Sequence, residues 1–266
     1  MKMGNILTKS FKYPFNDFKN FLVVCVLFLL PALPLFALRV LGDNAIILCI
    51  VLSLLLLFID ILIIPGYFVS VVKSGCDNPK SVPSIKLGKN IVDSFKKFIL
   101  DFIYGLVPFI VFVVGIIISG MYASNSDQLL FSFMIVLVIT AILSVIFSLF
   151  SSVATARLAK YDSLSKAFSF GEVFADVKRI GFWKVLAWYI LMGIIVFLIA
   201  HVVLLLVFIP YVGLIIYFAF IIPYIISVYY CSLGLLYSNV DGSGKKDGEV
   251  DLDEFEREIQ EIKMMI

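Results

Sequence analysis

The sequence predicts an all-α polytopic membrane protein. Six transmembrane helices form three parallel repeats, each an amphipathic helix plus a two-span hairpin, and a short cytoplasmic C-terminal helix follows. Three observations carry this prediction. Of 266 residues, 62% are hydrophobic and 15% charged, with a mean hydropathy of +1.10. Soluble domains lie near ~45–50% apolar and ~25% charged, so the bilayer must act as solvent for much of this chain. Six apolar runs each reach the ~20 residues needed to cross ~30 Å of hydrocarbon. Finally, one short motif recurs: Asp17–Phe21 reads DFKNF and Ser94–Phe98 reads SFKKF, 77 residues apart.

The first unit spans residues 5–75. It opens with an amphipathic segment, Asn5–Asn20, that carries Lys12 and Lys19. The spans Phe21–Leu41 and Asn44–Ile64 follow. The second unit, residues 84–160, begins with Ser84–Lys97. There Ile85, Ile91, Val92, Phe95 and Phe98 share one helical face, while Lys86, Lys89, Lys96 and Lys97 border or oppose it. Such a helix is expected to lie in the headgroup zone, with its lysines on anionic phosphates. The spans Phe98–Ile118 and Leu129–Val153 follow, and the 77-residue offset also maps Pro31 onto Pro108. The third unit, residues 165–237, opens with Ser165–Arg179, which carries Lys178 and Arg179. At the end of that segment DVKRI, Asp176–Ile180, is a looser copy of the motif. The spans Val185–Ile209 and Tyr211–Tyr237 are joined by almost nothing, which requires a tight hairpin. Pro223 echoes Pro65.

Charge gives the orientation. All 21 Lys and Arg residues except Arg39 fall before the first span, in the second-to-third and fourth-to-fifth loops, or after the sixth span. The positive-inside rule then places both termini in the cytoplasm. A cleaved signal peptide would also show a basic start and an apolar run. The first span is instead read as part of the repeat.

Residues 238–250 read as a flexible linker and 251–266 as an acidic amphipathic helix. Asp241, Asp247, Asp251 and Glu254 sketch half of a calcium loop. With Gly248 at the sixth position, Ser243 and Lys245 stand where the first and third ligands belong, and an ammonium there repels the ion. The same letters serve a helix start, with Asp251 as cap and Glu254 completing a capping box. Leu252, Phe255, Ile259, Ile262 and Ile266 then form a short apolar seam, suited to self-association or to docking on the basic segments.

No catalytic motif, cofactor fingerprint or multi-histidine metal site is present. Cys25, Cys49, Cys76 and Cys231 form no CxxC pair. The intramembrane polar candidates are Arg39, Asp60, Asp101 and the lone His201. Pro31, Pro34 and Pro108 bend their spans.

The stretches FKYPFNDFKNF, PGYFVSVVKSG and PKSVPSIKLGKNIVDSFKKFILDFIYGLVP follow one another in order. Tyr13-Pro14-Phe15, Gly66-Tyr67, Pro83 and Tyr104 to Pro108 are their marks. Over residues 5–237 this succession resembles an uncharacterised family of archaeal and bacterial multi-pass membrane proteins, a domain of unknown function. The resemblance implies a multi-pass membrane location and brings no activity and no catalytic residues. The expected function is a non-enzymatic, membrane-organising or interaction component in contact with anionic headgroups. A transporter or channel subunit is the alternative, and a calcium-responsive membrane protein the third reading.

Overall fold

Apolar runs of this length can satisfy their backbone groups in lipid only as helices or closed barrels, and here they are helices. The computed structural model describes residues 2–77, 81–206, 212–238 and 240. Six helices are long and apolar enough to cross a membrane: Phe18–Leu38, Ile46–Cys76, Leu87–Tyr122, Ser126–Tyr161, Phe182–Ile199 and Tyr217–Tyr237. The protein is a multi-pass membrane protein with an all-α fold.

Helix α1, Met3–Asn16, is amphipathic and buries Ile6, Ser10 and Tyr13. Asp17 interrupts the helix and caps α2, Phe18–Leu29, by accepting from the Asn20 N–H. Pro31 then tightens the chain into a single 3-10 turn, Leu30–Ala32, before α3, Leu33–Leu41. Helix α4, Ile46–Cys76, continues through Pro65. Proline has no N–H to give the ladder, and the next N–H, that of Gly66, donates to Ser94 Oγ at 2.7 Å on another helix. Helices α5, Leu87–Tyr122, and α6, Ser126–Tyr161, have 36 residues each. Short α7, Leu164–Ala167, and α8, Phe170–Ile180, lead to α9, Phe182–Leu206. After α10, Val212–Ile216, a π-helical turn at Tyr217–Ile221 leads into α11, Ile222–Tyr237.

The second amphipathic segment differs from expectation. From Leu87 onward it is the first part of α5 rather than a separate surface helix. No proline or glycine breaks the run from Lys89 to Tyr104. Its polar face also turns inward. Asn90, Asp93, Ser94 and Lys97 are buried, while Val92, Phe95 and Phe98 are exposed. The polar residues find partners inside the protein, and the apolar ones are left for lipid.

At 1.5 Å per residue, α5 and α6 are each about 54 Å long, well beyond the ~30 Å hydrocarbon thickness. The surplus goes to one end of the bundle. There α1, the last part of α4, the start of α5, the last part of α6, α8, the start of α9 and α11 enclose the core. Tyr13, Tyr67, Phe68, Leu100, Leu158, Trp188 and Tyr237 are among its fully buried large side chains. At the opposite end aliphatic and aromatic side chains such as Ile47, Leu48, Ile117, Met121 and Phe131 are exposed. The molecule therefore has a packed end and an open end.

Candidate functional site

Asp101 lies where the packed end gives way to the open end. One turn before it on α5 stands Lys97, whose ammonium hydrogen-bonds both carboxylate oxygens. From α6, Ser151 Oγ donates to Asp101 Oδ1 at 3.1 Å. Next along, Ser152 Oγ lies 3.1 Å from the Tyr229 hydroxyl of α11. A polar network of charge and hydroxyls thus draws on three helices at this level.

Two cavities meet at this network. The larger, of about 560 Å³, runs between α5 and α6, from Asp101 past Pro108 to Phe112. The smaller, of about 210 Å³, lies toward α11 and is lined by Lys97, Thr155, Tyr189 and Tyr229 among others. Asp101, Ser148 and Ser151 line both. The α6 wall explains their polarity. Thr140, Ser144, Ser148, Ser151 and Thr155 follow spacings of four, four, three and four, one face of a helix. Thr155 donates to the Ser151 carbonyl at 2.8 Å, a local bond that hides the hydroxyl's hydrogen in the helix itself. Thr140 Oγ1 is buried without a partner. Its hydrogen-bonding capacity is left facing the groove.

A second polar cluster clasps the packed end. Arg157 on α6 pairs with Asp176 and Glu172 on α8, and its Nε donates to the Lys166 carbonyl at 3.0 Å. The Tyr237 hydroxyl donates to Asp176 Oδ2 at 2.7 Å. Nearby, Lys96 hydrogen-bonds Asp162, the left-handed residue (φ 51°) that ends α6. That bond holds the Asp162 carboxyl below the usual carboxylate range.

The residues singled out from sequence fall as follows. Asp101 belongs to the network. Asp60 lies on another face of the bundle, buried in α4 with its Oδ1 unpartnered. His201 is exposed; its Nδ1 lies 2.9 Å from the Phe197 carbonyl, one turn back in the same helix. Arg39 falls within α3, and its side chain lies outside the described residues. Lys12, Lys19, Lys86, Lys89, Lys178 and Arg179 are exposed, and Lys96 is half-buried. Lys97 requires a correction: expected on the membrane surface, it is buried and paired with Asp101. A carboxylate one turn away gives the ammonium an internal partner that a lipid phosphate would otherwise supply. The calcium-loop positions Asp241, Asp247, Asp251 and Glu254 lie outside the described residues, as does the seam at Leu252, Phe255, Ile259, Ile262 and Ile266. Among the described residues no group of three or more His, Cys, Asp or Glu could hold a metal ion.

Sequence reasoning missed the α6 hydroxyl face and the Arg157 clasp. The first was visible as a Ser/Thr periodicity within an apolar run. The second was not, because Arg157 read as a loop charge and Asp176 as the first letter of the repeated motif, with nothing to pair them.

A family model described as Protein of unknown function (DUF4013) matches residues 47–208, more than half of the chain. The chain belongs to the DUF4013 family. The matched region includes α5, α6, α8 and the Arg157, Glu172 and Asp176 side chains of the clasp, but not Tyr237. It covers the Asp101 groove and stops short of Tyr229 in the smaller cavity. No curated protein and no solved structure matches the chain.

Proposed function

We propose that this DUF4013 protein is a non-enzymatic, membrane-organising protein that holds an amphiphilic lipid in the groove between α5 and α6. The observation that supports this is the change in polarity along the groove. Lys97, Asp101, Ser151 and Tyr229 gather at the packed end, and Phe109 and Phe112 line the other end. An amphiphile has the same asymmetry. Its headgroup would exchange hydrogen bonds with Asp101 and the Ser148 and Ser151 hydroxyls, and its chain would lie along the phenylalanines. The exposed lysines at the same end, Lys86, Lys89 and Lys178 among them, suit anionic headgroups around it.

The test is native mass spectrometry of the protein purified in mild detergent. The wild type is expected to retain lipid, and Ser148→Leu with Ser151→Leu to lose it while keeping the same helical circular dichroism. Equal retention by both would overturn the reading.

One observation favours a second reading, a transporter. From Thr140 to Thr155 the hydroxyl face extends about 22 Å, most of a ~30 Å hydrocarbon core. A polar group could be passed along such a ladder. Movement of labelled lipid or solute in proteoliposomes, abolished by Ser144→Leu, would move the assignment to transport.

A further inference from the structure

We propose that the first hairpin carries a second, separate site, an apolar cavity with one carboxylate that binds a lipophilic monocation. The cavity has a volume of about 580 Å³, in the middle of the ~300–1,000 Å³ range typical of small-molecule sites. It is bounded by Phe28, Pro31 and Leu35 around the bend of the first span, by α4, and by Phe218 and Ile222 beside the π-helical turn. Two polar side chains reach it from α4, Ser53 and Asp60, two turns apart on one face. Asp60 is 5% exposed, and neither its Oδ1 nor Ser53 Oγ has a hydrogen-bond partner.

A carboxyl group buried in apolar surroundings demands a counter-charge or a proton. No cationic side chain pairs with Asp60 among the described residues. The cavity rim is apolar and exposed, at Leu35, Leu54 and Ile61, so a ligand would arrive from the lipid phase. A small hydrated ammonium would lose its water at great cost on that route. A cation whose charge is wrapped in aryl or alkyl groups loses little, fills the apolar volume and offsets the charge of the carboxylate. Charge, size and route thus agree on one chemical class.

The cavity has a counterpart with a different lining. Adding 77 to Phe28, Pro31, Ala32 and Leu35 gives Gly105, Pro108, Phe109 and Phe112, which line the α5–α6 groove. Adding 87 to Ser53, Leu57, Ile61 and Ile64 gives Thr140, Ser144, Ser148 and Ser151, which line the same groove. Both cavities therefore sit beside a proline and against a following antiparallel helix, each with an unpartnered hydroxyl, Ser53 or Thr140, at the same place. The chemistry diverges between them. Where the groove has Ser144, Phe147 and Ser148, the first cavity has Leu57, Asp60 and Ile61. One spreads its polarity over hydroxyls and the other concentrates it in a single charge. Failure of the lipid reading of the groove would leave this site standing.

The experiment uses the full-length protein in nanodiscs of zwitterionic lipid, with empty nanodiscs as baseline. Equilibrium binding is measured for tetraphenylphosphonium and tetraphenylborate, ions of nearly equal size and shape and opposite charge. The wild type is expected to bind the cation saturably and the anion only at the empty-disc level. Asp60→Asn is expected to bind the cation about tenfold or more weakly, the loss of one charge–charge attraction at low dielectric. Asp60→Glu, which restores the charge, is expected to bind it close to wild type. Equal binding of the two ions by the wild type, or no saturable binding of the cation, would overturn the proposal even if Asp60→Asn failed to fold. Unchanged binding by a folded Asp60→Asn would overturn it as well.

Discussion

Arg157 is the side chain on which most bonds at the packed end converge. Its guanidinium reaches Asp176, Glu172 and the Lys166 carbonyl, and Asp176 also accepts from Tyr237. Asp176 is 1% exposed, so without Arg157 it would be a buried charge lacking its main partner. Arg157→Ala is therefore expected to lower stability by ~3–5 kcal/mol, measured as a fall in thermal midpoint in a fixed detergent. The double variant Arg157→Met with Asp176→Leu is expected to recover much of that loss, because it removes the stranded charge along with its partner. If the double variant is as unstable as the single, packing around Arg157 matters more than the pair. Asp162 offers a milder test. Its folded pKa is depressed by Lys96, so its contribution is complete above the ordinary value of 3.8 and is lost as the pH falls through the lower folded value. Asp162→Asn tolerates the left-handed backbone but cannot ionise. The wild type should lose stability more steeply than this variant below pH 3.8, and parallel melting curves at pH 5 and pH 3 would show that the Lys96 bond is energetically idle.

Helix α4 is the element around which the others are arranged, and its glycines set the distances. A Cβ on Gly75 would lie 2.6 Å from the Cys231 carbonyl oxygen and 3.0 Å from the Gly234 Cα, and one on Gly234 would press on the Val72 carbonyl. The α4 and α11 backbones touch here, and no side chain can intervene. Gly234→Val is expected to separate the two helices, with loss of folded protein by size-exclusion chromatography; a monodisperse, wild-type-like peak would contradict this close crossing. The order of elements was legible in the sequence because apolar length and proline position are local properties. Pro31 produces its turn, and the six runs give the six long helices. The candidate site was only partly legible. Asp101 was visible as an intramembrane acid, but the Thr140 to Thr155 face has meaning only once α6 is known to lie against α5. Lys97 was misplaced for the same reason. Lysines near a membrane boundary read as surface charge until a carboxylate one turn away is seen to hold the ammonium against the protein. Gly66 gives no sign in sequence of its bond to Ser94, because that contact depends on the crossing of α4 and α5.

At the scale of the whole molecule, packing is polarised. Residues that need protein partners, both charged clusters and the largest aromatic side chains, gather at one end, and the other end presents aliphatic surface to lipid. This polarity coincides with the charge asymmetry of the chain. The exposed Lys12, Lys86, Lys89 and Lys178 all belong to the packed end, and Arg39 belongs to the opposite side. If the positive-inside rule governs insertion, the packed end and both termini face the cytoplasm, and the turn between α5 and α6 faces outward. Single cysteines can test this, because native Cys25, Cys49 and Cys231 are buried and Cys76 is half-buried, which keeps background labelling low. Ser126 stands at the outer turn, and Ser84 and Ser165 stand at the packed end, all three exposed. With a membrane-impermeant maleimide on intact cells, Ser126→Cys is expected to react, while Ser84→Cys and Ser165→Cys react only after permeabilisation. The reverse pattern would place the basic end outside. The headgroup end of the α5–α6 groove would then open to the outer leaflet, and the lipid it holds would have to be sought there.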